Sequence, residues 1–261
     1  MSLKLAISGK GGVGKTTLSA LIARSLAASG STVVAIDADP VPNLGAALGL
    51  PEEEWPEPIS ELRDLIAERT GAQPGTFGGV FKMNPRVDDI PERYGVDAAG
   101  VKLLTMGSVE KGGSGCVCPE SVLLKALVQH LVLQRDEVIV MDMEAGVEHL
   151  GRATSRHVDL LAIVVDPGAR SHAAARRIKA LADDLGIPRI AILANRVRND
   201  ADERTIRSNL EGFEILGTVP MDETFMEADR EGVLPYPDPA LIPQPVREIA
   251  SAIREAAEER A

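Results

Sequence analysis

Residues 9–17 read GKGGVGKTT, and few stretches this short restrict a fold so tightly. They satisfy G-x-x-x-x-G-K-[ST], the pattern of a loop that wraps phosphate oxygens in backbone N–H groups. Glycines at 9, 11, 12 and 14 let the main chain turn inward without a Cβ in the way. A helix that begins directly after the loop adds partial positive charge at the same place. Lys15 can then span the β- and γ-phosphates of a bound nucleotide, and the Thr16 hydroxyl can ligate Mg2+. Gly11, Gly12, Val13, Gly14 and Thr17 complete the expected cradle. Such a loop needs a buried strand before it and a helix after it. The flanks supply both: an apolar run over Lys4–Ser8 and a helical stretch over Thr16–Ala28.

The same alternation continues along the chain. Strands are expected at Thr32–Asp37, Val101–Met106, Glu137–Asp142, Leu160–Asp166, Arg189–Asn195 and Glu214–Val219. Most are solid apolar runs without a period of two, as in VIVMD, which suits strands covered on both faces. Helices are expected at Pro119–Leu133, Ala169–Leu185 and Val246–Glu259. The rhythm is that of an α/β fold: a doubly wound, mostly parallel sheet flanked by helices. At 261 residues the chain reads as one domain over 1–261, with a surface insertion at about 51–100. Within that insertion ELRDLIAERTG reads as a short helix closed by Gly71, and a hairpin is expected around Phe81–Ile90. The insertion is either a solvated loop or a surface for a partner.

Aromatic residues make up only 3% of the chain, so the core must be aliphatic. A net charge of −11, from 28 basic and 39 acidic residues, argues against broad contact with nucleic acid or anionic lipid. No run approaches the length of a membrane span, and the N-terminus lacks the pattern of an export signal. A reducing cytoplasm is therefore the expected compartment.

Carboxylates collect where strands end. Asp37 and Asp39 lie in IDADP, at the C-terminal edge where open parallel sheets bind ligands. Asp39 suits the orientation or deprotonation of an attacking water, and Asp37 suits contact with Mg2+ through water. Asp142 ends VIVMD as a Walker B-type carboxylate for Mg2+, and Gly146 gives the segment after it freedom to move. Glu144 and Glu148 either serve the nucleotide or a client, or face water. Asn195 ends AILAN, and its amide suits a purine edge. The fourth residue of that segment is Arg198, not the Asp that guanine-specific loops carry, so adenine is favoured. Pro220 and Asp222, in GTVPMDE, are expected to cover the base.

Both cysteines fall in GSGCVCPES, at Cys116 and Cys118. Two thiols so close can form a strained disulfide, supply half a metal site, or do neither. Cys118 precedes Pro119 and a helical stripe, which makes it an expected N-cap whose thiolate the helix terminus would stabilise. Zinc-like sites want four ligands, and two chains related by a twofold axis would supply four thiolates. The four histidines have no ligand-like spacing.

Lys10, a second lysine inside the phosphate loop, makes GKGGVGKT similar to the deviant Walker A loop of the MinD/ParA/nitrogenase-iron-protein class of ATPases. That resemblance implies an ATP-gated dimer in which Lys10 reaches the partner's nucleotide, Asp39 is the hydrolytic carboxylate of switch I, and Lys15 holds phosphate. GKGGVGKTT, DADPVPNLG, CVCPE before a helix, DMEAGVEHLG and the Asn195 segment together resemble the CooC-type nickel-insertion ATPases. That family implies ATP and Mg2+ as cofactors and Ni2+ (or Zn2+) on Cys116 and Cys118 between two subunits. Its client is carbon monoxide dehydrogenase or another nickel enzyme. Residues 51–100 lie outside these motifs. The iron–sulfur relatives fit less well, because residues 142–261 hold no cysteine and the spacing here is CxC. A positioning or partition ATPase of the MinD/ParA kind is the alternative. It would want a basic patch or basic amphipathic tail, whereas the polar face of PQPVREIASAIREAAEER is rich in Glu.

Overall fold

The computed structural model describes residues 2–72, 81–108, 118–147, 150, 152–231 and 233–258. The chain opens with β1 (Leu3–Gly9), α1 (Lys15–Ala28), β2 (Val33–Ala38) and a short α2 (Leu44–Ala47). The insertion carries α3 (Arg63–Thr70), α4 (Ile90–Tyr94) and β3 (Val96–Ala98). Next come β4 (Val101–Thr105), α5 (Pro119–Leu133), β5 (Val138–Met143), α6 (Arg152–Ser155) and β6 (Leu160–Val165). The final part is α7 (Ala169–Leu185), β7 (Ile190–Val197), α8 (Asp200–Asn209), β8 (Glu214–Pro220), α9 (Glu223–Glu231) and α10 (Gln244–Glu258).

One sheet runs in the order β3-β4-β2-β5-β1-β6-β7-β8, parallel throughout except for β3 at the edge. β1, β2, β5 and β6 are buried along their whole length, as unalternated apolar runs require. Side chains still alternate between faces. Leu3, Leu5, Ile7, Val33, Ala35, Val138 and Val140 share one core layer with α1 and α10. Ala6, Val34, Ile36, Ile139 and Met141 share the other with α5 and α7. β1 sits between β5 and β6, so the phosphate loop emerges near the middle of the sheet's C-terminal edge.

The insertion departs from expectation in two ways. No strand occurs at 81–89; the hairpin is β3–β4, paired from Val96↔Leu103 to Ala98↔Val101. Its turn residues Ala99 and Gly100 have φ of 49° and 83°, the positive values that tight hairpin turns use. An Ala-Gly pair gives a weaker signal of this turn than Asn-Gly would. Nor is the insertion merely solvated, because Ile59, Leu65, Ile66, Val87 and Ile90 are buried in the same layer as α5. α3 does end at Gly71, in left-handed geometry at φ 75°.

α10 spends its apolar face internally. Val246, Ile249, Ala250, Ile253 and Ala257 pack into the layer formed with α1. Among the described residues no helix is long and apolar enough to cross a membrane.

Candidate nucleotide site and thiol-capped helix

The loop after β1 is shaped by backbone and held by distant side chains. Gly12 and Gly14 adopt φ of 82° and 88°, which a side chain would strain. Gly14 is the N-cap of α1 and receives no side-chain cap, so the first N–H groups of the helix are left for a ligand. Asn195 Nδ2 donates to the Val13 carbonyl at 2.8 Å, and Arg196 Nη1 donates to the Gly12 carbonyl at 2.6 Å. A Cβ on Gly14 would sit 2.5 Å from Asn195 Nδ2, so the glycine and the asparagine are fitted to each other. With its amide nitrogen pinned, Asn195 keeps Oδ1 buried and without a partner.

Lys15 Nζ lies 2.9 Å from Asp39 Oδ2, and Asp39 Oδ1 accepts the Val41 N–H at 3.1 Å. Asp37 is engaged by backbone N–H groups. Its Oδ1 accepts the Asp39 N–H at 3.1 Å, and its Oδ2 accepts those of Asn43 and Leu44 at 2.8 and 2.7 Å. Asp37 thus shapes the turn that presents Asp39. Burial raises its pKa, opposed by those three N–H groups.

Asp142 faces Asp37 across the β2–β5 pair at the same register. Ser19 Oγ donates to Asp142 Oδ1 at 3.0 Å, while Oδ2 is buried and has no partner. Burial pushes the Asp142 carboxyl up to about 6, against the pull of the nearby Lys15 charge and the Thr16 side chain. A hydroxyl and an orphaned carboxylate oxygen side by side form the donor set a hard divalent cation takes, so Thr16 and Asp142 fit Mg2+. Ser8 Oγ donates to the carbonyls of Glu144 and Gly146, at 2.7 and 3.0 Å, tying β1 to the segment after β5.

A cavity of about 520 Å3 opens beside these groups. One end is the loop from Gly11 to Thr17; the opposite wall carries Pro220, Met221, Asp222, Phe225 and Pro235. Asp222 accepts the Tyr236 hydroxyl and the Thr224 N–H, so both its oxygens serve the wall itself. Among the described residues Lys10 donates to the Gly11 carbonyl of its own loop, at 3.2 Å.

Cys118 is the N-cap of α5, in extended geometry, with Pro119 at the first helical position. Its Sγ accepts the Ser121 N–H at 3.4 Å and lies 3.2 Å from Ser121 Oγ. The cysteine is half-buried and free of a disulfide. Cys116, Glu148 and His149 lie outside the described residues. Sequence reading overlooked Ser8, Ser19, Arg24 and Arg196. None has a short motif, and Arg196 is recognisable only once the bulge near β7's end gives it φ 56°.

The model of the CobQ/CobB/MinD/ParA nucleotide binding domain matches residues 4–236. The chain belongs to this family. It is a P-loop ATPase of the MinD/ParA class. It is 48% identical to the carbon monoxide dehydrogenase accessory protein CooC of Rhodospirillum rubrum, over 90% of this chain and 89% of that one. It is 47% identical to an uncharacterized ATP-binding protein of Methanocaldococcus jannaschii, over 87% and 88% of the two chains. Among solved structures, the septum site-determining protein MinD with Mg-ADP from Pyrococcus horikoshii aligns over 100% and 99% of the two chains, with a TM-score of 0.69. At 18% identity that likeness concerns the fold alone.

Proposed function

We propose that this ATPase is a nickel-delivering accessory protein, acting as a dimer that binds Ni2+ through Cys116 and Cys118 and serves the maturation of carbon monoxide dehydrogenase. The carrying observation is the 48% identity with CooC along nearly the whole of both chains. The local structure around Cys118 supports it. Cys118 caps the first turn of a 15-residue helix, and soft sulfur ligands suit Ni2+ or Zn2+. One chain offers two such sulfurs, and a second copy brings the total to four.

At the nucleotide end, Lys15 and the loop N–H groups bind the triphosphate. The phosphates replace Asp39 as the partner of Lys15, leaving the Asp39 carboxylate to orient water toward the γ-phosphorus. The water oxygen bonds to phosphorus, the bond to the β–γ bridging oxygen breaks, and the water proton passes toward Asp39. Thr16 and Asp142 hold Mg2+, which supplies charge neutralisation at the phosphate oxygens. Asn195 Oδ1, a buried acceptor whose orientation is set by Val13, favours the amino edge of adenine over the carbonyl edge of guanine. Lys10 acts across the dimer on the partner's nucleotide.

Equilibrium titration of reduced protein with Ni2+ tests the reading. Replacing Cys116→Ala and Cys118→Ala together is expected to abolish nickel binding and leave ATP affinity within about twofold. Unchanged nickel affinity in that variant would defeat it. The positioning-ATPase alternative gains nothing from α10, whose apolar face is already packed against the domain.

A further inference from the structure

Arg24 is buried to 1% exposure on α1, more than two turns beyond the phosphate loop, and among the described residues no carboxylate pairs with it. Its guanidinium instead donates to three successive carbonyls. Nη1 reaches Pro235 O at 2.9 Å, and Nη2 reaches Tyr236 O and Pro237 O at 2.7 and 2.9 Å. Burying a charge against neutral carbonyls is costly, so the arrangement is a purposeful use of an arginine. Burial lowers the Arg24 pKa.

The held segment is itself irregular. Tyr236 has φ 53°, a left-handed value that costs free energy in a non-glycine residue. Its ring meets Phe225 edge to face with centroids 5.6 Å apart, and its hydroxyl donates to Asp222. Phe225, Asp222 and Pro235 all line the cavity wall opposite the phosphate loop. A chain of direct contacts therefore runs from α1 through Arg24 and Tyr236 to the wall.

We infer that Arg24 is a positioning residue for the nucleoside end of the site: it fastens the 235–237 strap to the phosphate-loop helix and so fixes the surface that the base and sugar meet. The inference rests on the reading that this wall, and not some other surface, receives the nucleoside. The phosphate end needs no help from Arg24, because it is held by Asn195, Arg196 and its own backbone.

The test compares two probes by calorimetry, Mg–ATP and Mg–tripolyphosphate, the second having no base or sugar. Arg24→Met keeps the apolar stem and removes the three donations. It is expected to weaken ATP about tenfold while tripolyphosphate binding stays within about twofold. Arg24→Lys, which keeps a charge and donors, is expected to recover part of the loss. Equal weakening of both probes, or of neither, in Arg24→Met would overturn the inference, since Arg24 would then act on the whole fold or on nothing in the site. Phe225→Ala separates the two layers of the reading. If Phe225→Ala discriminates between the probes and Arg24→Met does not, the wall is correctly placed and Arg24 is not its anchor. If Phe225→Ala also fails to discriminate, the wall itself is misplaced.

Discussion

Two glycine-rich stretches of this chain lead from a parallel strand into a helix, and they finish the helix start in opposite ways. Residues 10–14 join β1 to α1, and residues 106–118 join β4 to α5. The first ends in Gly14, left-handed and without a side-chain cap. The second ends in Cys118, extended, with its sulfur on the Ser121 N–H. One helix start leaves its N–H groups open to an oxyanion. The other directs an N–H group of its first turn at a sulfur. A single physical device, the helix N-terminus, thus closes two connections at the same edge of the sheet, left uncapped in one and capped by a thiol in the other.

If the two helix starts are separate in chemistry, variants at one should leave the other's ligand undisturbed. The largest effect is expected from Lys15→Ala, which removes the charge facing phosphate. Steady-state ATP hydrolysis should fall about a thousandfold, with nickel binding to the nucleotide-free protein retained. Asp39→Ala should lower kcat about a hundredfold while ATP still binds, measured by pairing turnover with equilibrium nucleotide binding. If ATP affinity collapsed in that variant, Asp39 would belong to binding and not to the chemical step. Gly14→Ala drives a Cβ to 2.5 Å from Asn195 Nδ2 and strains φ 88°, and ATP affinity should drop about tenfold. The smallest effect sharpens the other side of the comparison. Cys118→Ser retains an acceptor for Ser121 N–H, whereas Cys118→Ala loses it. The alanine variant should be less stable by about 1 kcal/mol, a Tm difference of roughly 2–4 °C between the two in thermal denaturation. Equal melting of both variants would mean that the thiol contributes nothing as a cap.

The sequence disclosed the phosphate end well because its information is local. Glycines, a lysine and a hydroxyl within nine residues dictate a backbone shape that depends little on the rest of the chain. Each strand expected in the parallel sheet also formed, and most were legible because strands buried on both faces are written as unbroken apolar runs. What escaped detection depends on residues far apart in sequence. Arg24 meets Pro235 across more than two hundred residues, and Ser8 meets Gly146 across more than a hundred. Neither pairing leaves a trace in spacing. Asp37 shows a subtler limit: its position at a strand end was legible, but its three N–H partners belong to a turn that only the folded chain forms. The β3–β4 hairpin was misplaced to 81–90 for a local reason, an alanine in left-handed geometry where the turn signal would be Asn or Gly.

The central claim joins the two ends: one ATPase chain contributes two thiols to a metal site that a second copy completes. Native mass spectrometry of the reduced, anaerobic protein titrated with Ni2+ in the absence of nucleotide addresses it most directly. One nickel ion per two chains is the expected result, with metal and dimer lost together in the variant lacking both cysteines. A chain that stays monomeric and metal-free, or that binds nickel equally well without its cysteines, would contradict the claim.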